Sequence, residues 1–202
     1  MKLKLCERLP DSITVDGKKY RLDLDFRNVL RMMDIMGRED LLAEARNYLS
    51  LKCVMKKVPK NTAGAMSALS ALLFPEPKKK SGKPSQRVTD YEQDAELIRA
   101  AFMQSYHINL WRDKLHWLEF TALLSNLPEG SRYSDIIGIR VRPLPEPTKY
   151  NAKERQWLIE AKARFAIEPT EKEQQEAFEA SLHETTLSLL ALANRGGDLV
   201  AK

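Results

Sequence analysis

At 202 residues, 43% of them apolar and 30% charged, the chain is long enough to bury a core without disulfides or metal. Its two cysteines, Cys6 and Cys53, are far apart and give neither a secreted disulfide framework nor a zinc spacing, so a reducing cytosol is the expected compartment. The basic start lacks an apolar run of signal-peptide length and no stretch is long enough to span a membrane, which leaves a soluble, unexported protein as the expectation, while a net charge of +5 raises nucleic acid as a partner to be tested.

The first element is a hairpin. In "SITVDGKKYRLDLDF" an Asp16-Gly17 turn sets Val15 against Lys18 and Ile13 against Tyr20, with Ile13, Val15, Tyr20, Leu22 and Leu24 on one face. That half-apolar face needs a cover, which helices provide. Phe26, Val29, Leu30 and Met33 recur at helical spacing behind Asp25 as N-cap, and Gly37 closes that helix. Met32, Met33 and Met36 are read chiefly as core, although methionine also makes pliable contact surface. A second helix carries Leu41, Leu42, Ala45, Tyr48 and Leu49 on its stripe, and after Pro59 the small residues of "NTAGAMSALSALLF" predict a third that packs closely.

Residues 75–88, "PEPKKKSGKPSQRV", break this pattern. Three prolines, four lysines and a single apolar residue predict an exposed basic loop, within one domain covering residues 1–150. Over residues 52–88 there are nine Lys and Arg against one acid, whereas residues 168–184 hold six glutamates and one lysine. Such blocks usually mark solvated faces. They also make Lys78, Lys79, Lys80, Lys83 and Arg87 a candidate partner-contact surface, and they suggest salt-sensitive pairing between copies of the chain.

Beyond the loop, Thr89 and Glu92 have capping-box spacing ahead of a helix with Leu97, Ile98, Ala101, Phe102 and Tyr106 on its stripe. The next stretch, "HINLWRDKLHWLEF", concentrates two of three histidines and two of three tryptophans. Projected at 100° per residue, the apolar residues from Leu115 to Leu127 surround the whole circumference, which predicts a central helix. His116 then falls between Leu123 and Phe120, within reach of Glu119, as a satisfied core histidine. His107 ends the preceding helix, and Trp111 and Trp117 read as large apolar fillers of the turn and the central helix.

Signatures of catalysis are missing. No Ser or Cys sits in a nucleophile turn, the histidines lack metal-ligand spacing, and there is no glycine-rich phosphate loop. Asp23 with Asp25 and Asp90 with Asp94 lie where acids stand for structural reasons, at a strand edge and in a helix's first turns. No enzyme, cofactor or metal is expected. At the C-terminal end, residues 151–202 read as a helical extension: Asn151 caps "YNAKERQWLIEAKARFAI", and Thr170 with Glu173 opens a last helix carrying Phe178, Leu182, Leu189 and Leu190.

Taken together, the elements predict a mainly α fold, a helical bundle-like domain with an N-terminal β-hairpin. Their order, and the runs "DLDFRNVLRMMD", "DYEQDAELIRAAFMQSYHINL" and "LHWLEFTALLSNLPEGSRYSDIIGIRVRPLP", resemble the bacteriophage gene-product-15 family of long-tailed phages and prophages of Gram-positive hosts, over residues 12–145. Where that family often has two adjacent tryptophans, this chain has Trp117 followed by Leu118, a change between large apolar residues that leaves a core position a core position. The resemblance implies a tail assembly chaperone, encoded ahead of the tape measure protein, that binds the tape measure during tail morphogenesis and self-associates on it. It further implies the host bacterial cytoplasm as the location and absence from the mature virion. A permanent tail component is the structural alternative. A basic nucleic-acid-binding module is the second, disfavoured because the basic run has no interleaved aromatics and no recognition helix follows it.

Overall fold

The computed structural model describes residues 6–74, 87–170, 173–175, 178, 179, 181 and 182. Most of the basic loop and most of the stretch expected to form the last helix, Leu189 and Leu190 included, lie outside the described residues. Within them the chain is mainly helical behind an N-terminal hairpin.

Strands β1 (Ser12–Val15) and β2 (Lys18–Arg21) pair antiparallel in the expected register, Val15 opposite Lys18 and Ile13 opposite Tyr20. Asp16 and Gly17 both take positive φ, 48° and 73°, the backbone that matches a two-residue turn to strand twist. Ile13, Val15, Leu22 and Leu24 are buried and Tyr20 half-buried, so alternation places the hairpin's apolar face inward.

Helix α1 (Phe26–Gly37) starts where Asp25 accepts the Arg27 N–H at 3.0 Å. Phe26, Val29 and Met32 are buried, with Met33 and Met36 half-buried. The helix ends at Gly37 as expected, but Arg38 caps it in extended backbone, so no left-handed glycine is involved. Asp25→Ala is expected to lose about 1–2 kcal/mol in urea unfolding, since it strips the cap from the helix's free N–H groups; an unchanged midpoint would show the cap to be idle.

Helix α2 (Ala43–Val54) corrects the sequence reading. Ser50, Leu51 and Val54 face inward, while Leu42 is 83% exposed and Tyr48 and Leu49 also point to solvent. Apolar residues recur on both faces of this segment, so periodicity alone does not choose between them. The hairpin does: Asp23 donates its N–H to the Val54 carbonyl at 2.7 Å and docks the last turn of α2 beside β2. Helix α3 (Thr62–Leu73) packs against α2 and β1 through Ala65, Leu69 and Leu73. Its cap, Asn61, accepts the Gly64 N–H at 2.8 Å, and a Cβ at Gly64 would lie 2.7 Å from the Asn61 side chain, so the glycine leaves room for the cap.

Helix α4 (Ala95–Tyr106) buries Ile98, Ala101 and Phe102. The anticipated Thr89–Glu92 box does not form. Thr89 hydrogen-bonds the Tyr133 hydroxyl at 2.8 Å, and Asp90 instead accepts the N–H groups of Glu92 and Gln93 at 2.9 and 2.8 Å. His107 closes α4 in the left-handed conformation, φ 56°, with its N–H on the Met103 carbonyl.

Helix α5 (Trp117–Ser125) holds the aromatic centre of the molecule. Phe120 stacks on Phe26 at 4.8 Å, on Phe102 at 5.3 Å and on Trp117 at 5.8 Å between centroids, and Tyr91 meets Trp117 edge-on. Trp117 is 1% exposed and its indole N–H has no partner among the described residues, so packing alone accounts for its place. Only Trp117 and Phe120 of this helix are buried: Leu118, Leu123, Leu124 and, just beyond it, Leu127 are half-buried.

Helices α6 (Arg132–Val141) and α7 (Ala152–Arg164) complete the set, α6 packing on α4 and α7 on α6, with Leu158 fully buried. Asn151 does stand at the start of α7, yet its side chain serves the preceding loop, accepting from Thr148 N and donating to Glu146 O, both at 2.8 Å. Thr170 and Glu173 make the expected reciprocal cap, Thr170 N–H to the Glu173 carboxylate at 2.7 Å and Glu173 N–H to the Thr170 hydroxyl at 3.2 Å.

Candidate partner-binding surface

His116 is the N-cap of α5 rather than a residue on its face, and Glu119 is not its partner. Nδ1 accepts the Leu118 N–H at 3.2 Å and Nε2 lies 3.1 Å from the Pro10 carbonyl, which can only accept. The proton therefore sits on Nε2, and both ring nitrogens are committed to backbone groups. Around it the chain forms a bridge between Asp25 and His116: Phe26 N–H donates to Leu115 O at 3.0 Å and Trp117 N–H to Leu24 O at 2.8 Å. His116 thus fastens the segment before the hairpin to the aromatic core. His107 is exposed at the end of α4.

Trp111 is placed otherwise than as a filler. Its side chain is 71% exposed, on a turn that is itself heavily cross-tied. Asn109 Oδ1 accepts the Trp111 N–H at 3.0 Å, and Asp113 Oδ2 accepts the Asn109 N–H at 2.7 Å. Arg27, anchored through Nε to Asp25 at 3.1 Å, donates from its far end to the Asp113 carbonyl at 2.5 Å. The indole lies under the Arg99 guanidinium, 5.1 Å from centroid to Cζ, which adds a cation–π contact. On one side it walls a largely apolar cavity of about 360 Å³ lined by Arg99, Ala100, Met103 and Leu110. On the other it borders a smaller one of about 180 Å³ reaching Phe26, Leu30 and Phe120. A large aromatic held on a rigid turn, beside exposed Met103, is the kind of anchor on which binding energy concentrates, because its surface is desolvated on contact while little of its own freedom remains to be lost.

The basic residues singled out from sequence divide. Lys78, Lys79, Lys80 and Lys83 lie outside the described residues. Arg87 is inside and is already engaged, 3.0 Å from Asp90, 3.2 Å from Glu173 and 2.6 Å from the Glu168 carbonyl. The basic and acidic runs therefore meet within one chain at this point. Hydrogen bonds from Thr170, with Arg87 adding its charge, hold the Glu173 carboxyl below the usual range.

A further pair has no signature in the sequence. Arg140 and Asp94 form a two-pronged ion pair at 2.6 and 2.8 Å with side chains only 7% and 2% exposed. Arg140 also donates to Val88 O and Phe165 O, and Asp94 accepts the Asp90 N–H. Burial raises the neighbouring Tyr133 phenol above its ordinary range. Four of the five guanidinium N–H groups and both Asp94 oxygens thus tie α4, α6 and the chain after α7 together, as structural pairs do.

Among the described residues no group of three or more His, Cys, Asp or Glu is placed to hold a metal ion, and no helix is long and apolar enough to cross a membrane. No curated protein and no solved structure matches the chain. The family model described as Bacteriophage Gp15 protein matches residues 5–167, which takes in the hairpin, the Trp111 turn, the Asp94–Arg140 tie and α7. With most of its length matched by that model, the chain belongs to the bacteriophage Gp15 protein family.

Proposed function

We propose that this protein is a phage tail assembly chaperone that binds the tape measure protein during tail morphogenesis and carries out no catalysis. The observation that supports the reading is the exposed Trp111 on its braced turn, flanked by Met103 and an apolar cavity. An amphipathic helix presents apolar residues at three- and four-residue spacing, and a groove with one fixed aromatic wall suits such a stripe. A tape measure is a very long helical chain whose stripes need covering until the tail tube encloses it. In this reading the protein works in the host bacterial cytoplasm, lines up in several copies along the tape measure, and leaves before the virion is complete.

Co-expression with the tape measure protein tests it. The wild-type chain is expected to co-purify with the tape measure and keep it soluble, and Trp111→Ala to weaken capture about tenfold or more, as loss of an aromatic anchor does. Because the ring is mostly in solvent, the thermal midpoint of Trp111→Ala is expected to stay near wild type. Capture unaffected by the substitution would remove this surface from the account. Mass spectrometry of purified virions separates the readings: the chaperone is expected to be absent, and stoichiometric presence would favour a permanent tail component.

A further inference from the structure

A second surface lies along the β2 edge of the hairpin. The groove between β2 and residues 52–57 has a volume of about 940 Å³. Lys18, Lys19, Arg21, Lys52, Lys56 and Lys57 line it, against Asp23 as the one acid. These cations are exposed and none has an ion-pair partner among the described residues.

The edge of β2 is open along this groove. Leu22 donates its N–H to Asp11 O at 2.7 Å, so the pairs that exchange hydrogen bonds are 11 with 22, 13 with 20 and 15 with 18. The backbone groups of Lys19 and Arg21 consequently point away from β1, toward the groove. Asp23, next in that outward series, shows the direction directly: its N–H reaches Val54 O. The end of α2 occupies the edge at Asp23 and leaves the outward groups of Lys19 and Arg21 without a hydrogen-bond partner among the described residues. Met55, in extended backbone (φ −147°, ψ 144°), leads the opposite wall of the groove away from α2.

We infer that this groove takes an extended acidic segment of a partner protein, which adds to the free edge of β2 as a third strand. Backbone hydrogen bonds to Lys19 and Arg21 supply register, and the surrounding cations supply selectivity for Asp and Glu side chains. Lysines along an edge ordinarily discourage strand addition by repulsion between copies; an acidic strand turns the same charges into attraction. Nucleic acid fits less well, because the sole aromatic in the groove, Tyr20, is half-buried and offers no stacking platform, and a phosphodiester has no donor for the outward carbonyls of the strand edge. The inference does not depend on which protein supplies the segment, so its failure would leave the tape measure reading untouched.

The test uses the full chain and a fluorescent twelve-residue peptide alternating Glu with Val and Thr, read by anisotropy at low salt. Saturable binding is expected, and Arg21→Glu combined with Lys56→Glu should weaken it about tenfold or more, as reversal of facing charges does. Methylating alternate amide nitrogens of the peptide on the side that meets β2 should cost a further order of magnitude, roughly two lost hydrogen bonds, with the protein itself unchanged. Lys19→Pro removes an outward donor that the hairpin does not use and should act in the same direction. No binding, binding indifferent to both methylation and Lys19→Pro, or tighter binding of a random-sequence DNA duplex than of the peptide, would each overturn the inference.

Discussion

Asp94→Ala is expected to destabilise the fold by about 3–5 kcal/mol, the scale on which a buried ion pair fails when one partner is removed. The substitution leaves the Arg140 guanidinium with side-chain exposure of only 7% and no counter-charge. Its remaining contacts, Val88 O and Phe165 O, are carbonyls that cannot neutralise it. The Asp90 N–H also loses its acceptor, so the turn that leads into α4 loosens with it. Equilibrium urea unfolding followed by circular dichroism measures the change. Replacing both partners by apolar residues, Asp94→Leu with Arg140→Met, is expected to cost less than Asp94→Ala alone, because no charge is then left unpaired. A single substitution that costs under about 1 kcal/mol would mean that water reaches the guanidinium and the pair behaves as a surface bridge.

Phe120→Ala is the other large effect, expected at about 3–5 kcal/mol for an aromatic removed from a packed core. Phe120 is 1% exposed and stacks with three rings from three different elements: Phe26 at the start of α1, Phe102 on α4 and Trp117 in its own helix. Removal leaves a cavity at the junction, and the rings around it are themselves fixed by the backbone bridge at Asp25 and His116. Phe120→Leu should recover about half of the loss, as most of the volume is restored while the stacking geometry is not. Thermal and urea midpoints read both variants; near-equal stability of Phe120→Ala and wild type would show that the junction collapses freely.

The hairpin was legible in the sequence because alternation, an Asp-Gly turn and a half-apolar face all prescribe the same register. The first helix and the closing role of His107 were legible for the same reason, each being a local matter of spacing and capping. Helix α2 was not. Leu42, Tyr48 and Leu49 compose as good a stripe as Leu51 and Val54, and what decides between them is a hydrogen bond from Asp23, 31 positions away from Val54. His116 shows a different limit: the helical projection assumed that the helix already contained it, whereas it stands at the cap, where its ring faces Pro10 rather than Leu123.

The candidate surfaces followed the same division. A tryptophan in an apolar neighbourhood reads as core, and only the tied turn at Asn109 and Asp113 shows Trp111 facing outward. The Asp94–Arg140 pair joins residues 46 positions apart, each of which looks like an ordinary exposed charge on its own helix. The same is true of the groove beside β2, whose cations come from residues 18–21 and 52–57 and meet only because the end of α2 docks beside the strand.

The proposed function requires a stiff helical body that presents one braced aromatic to a helical partner. Hydrogen exchange of the protein, alone and bound to the tape measure, tests this most directly. Protection gained on binding is expected to concentrate in the outward side of α4 and the turn that carries Trp111, residues 96–113, with the aromatic centre already slow to exchange in the free protein. A complex that forms with no added protection across residues 96–113 would contradict it.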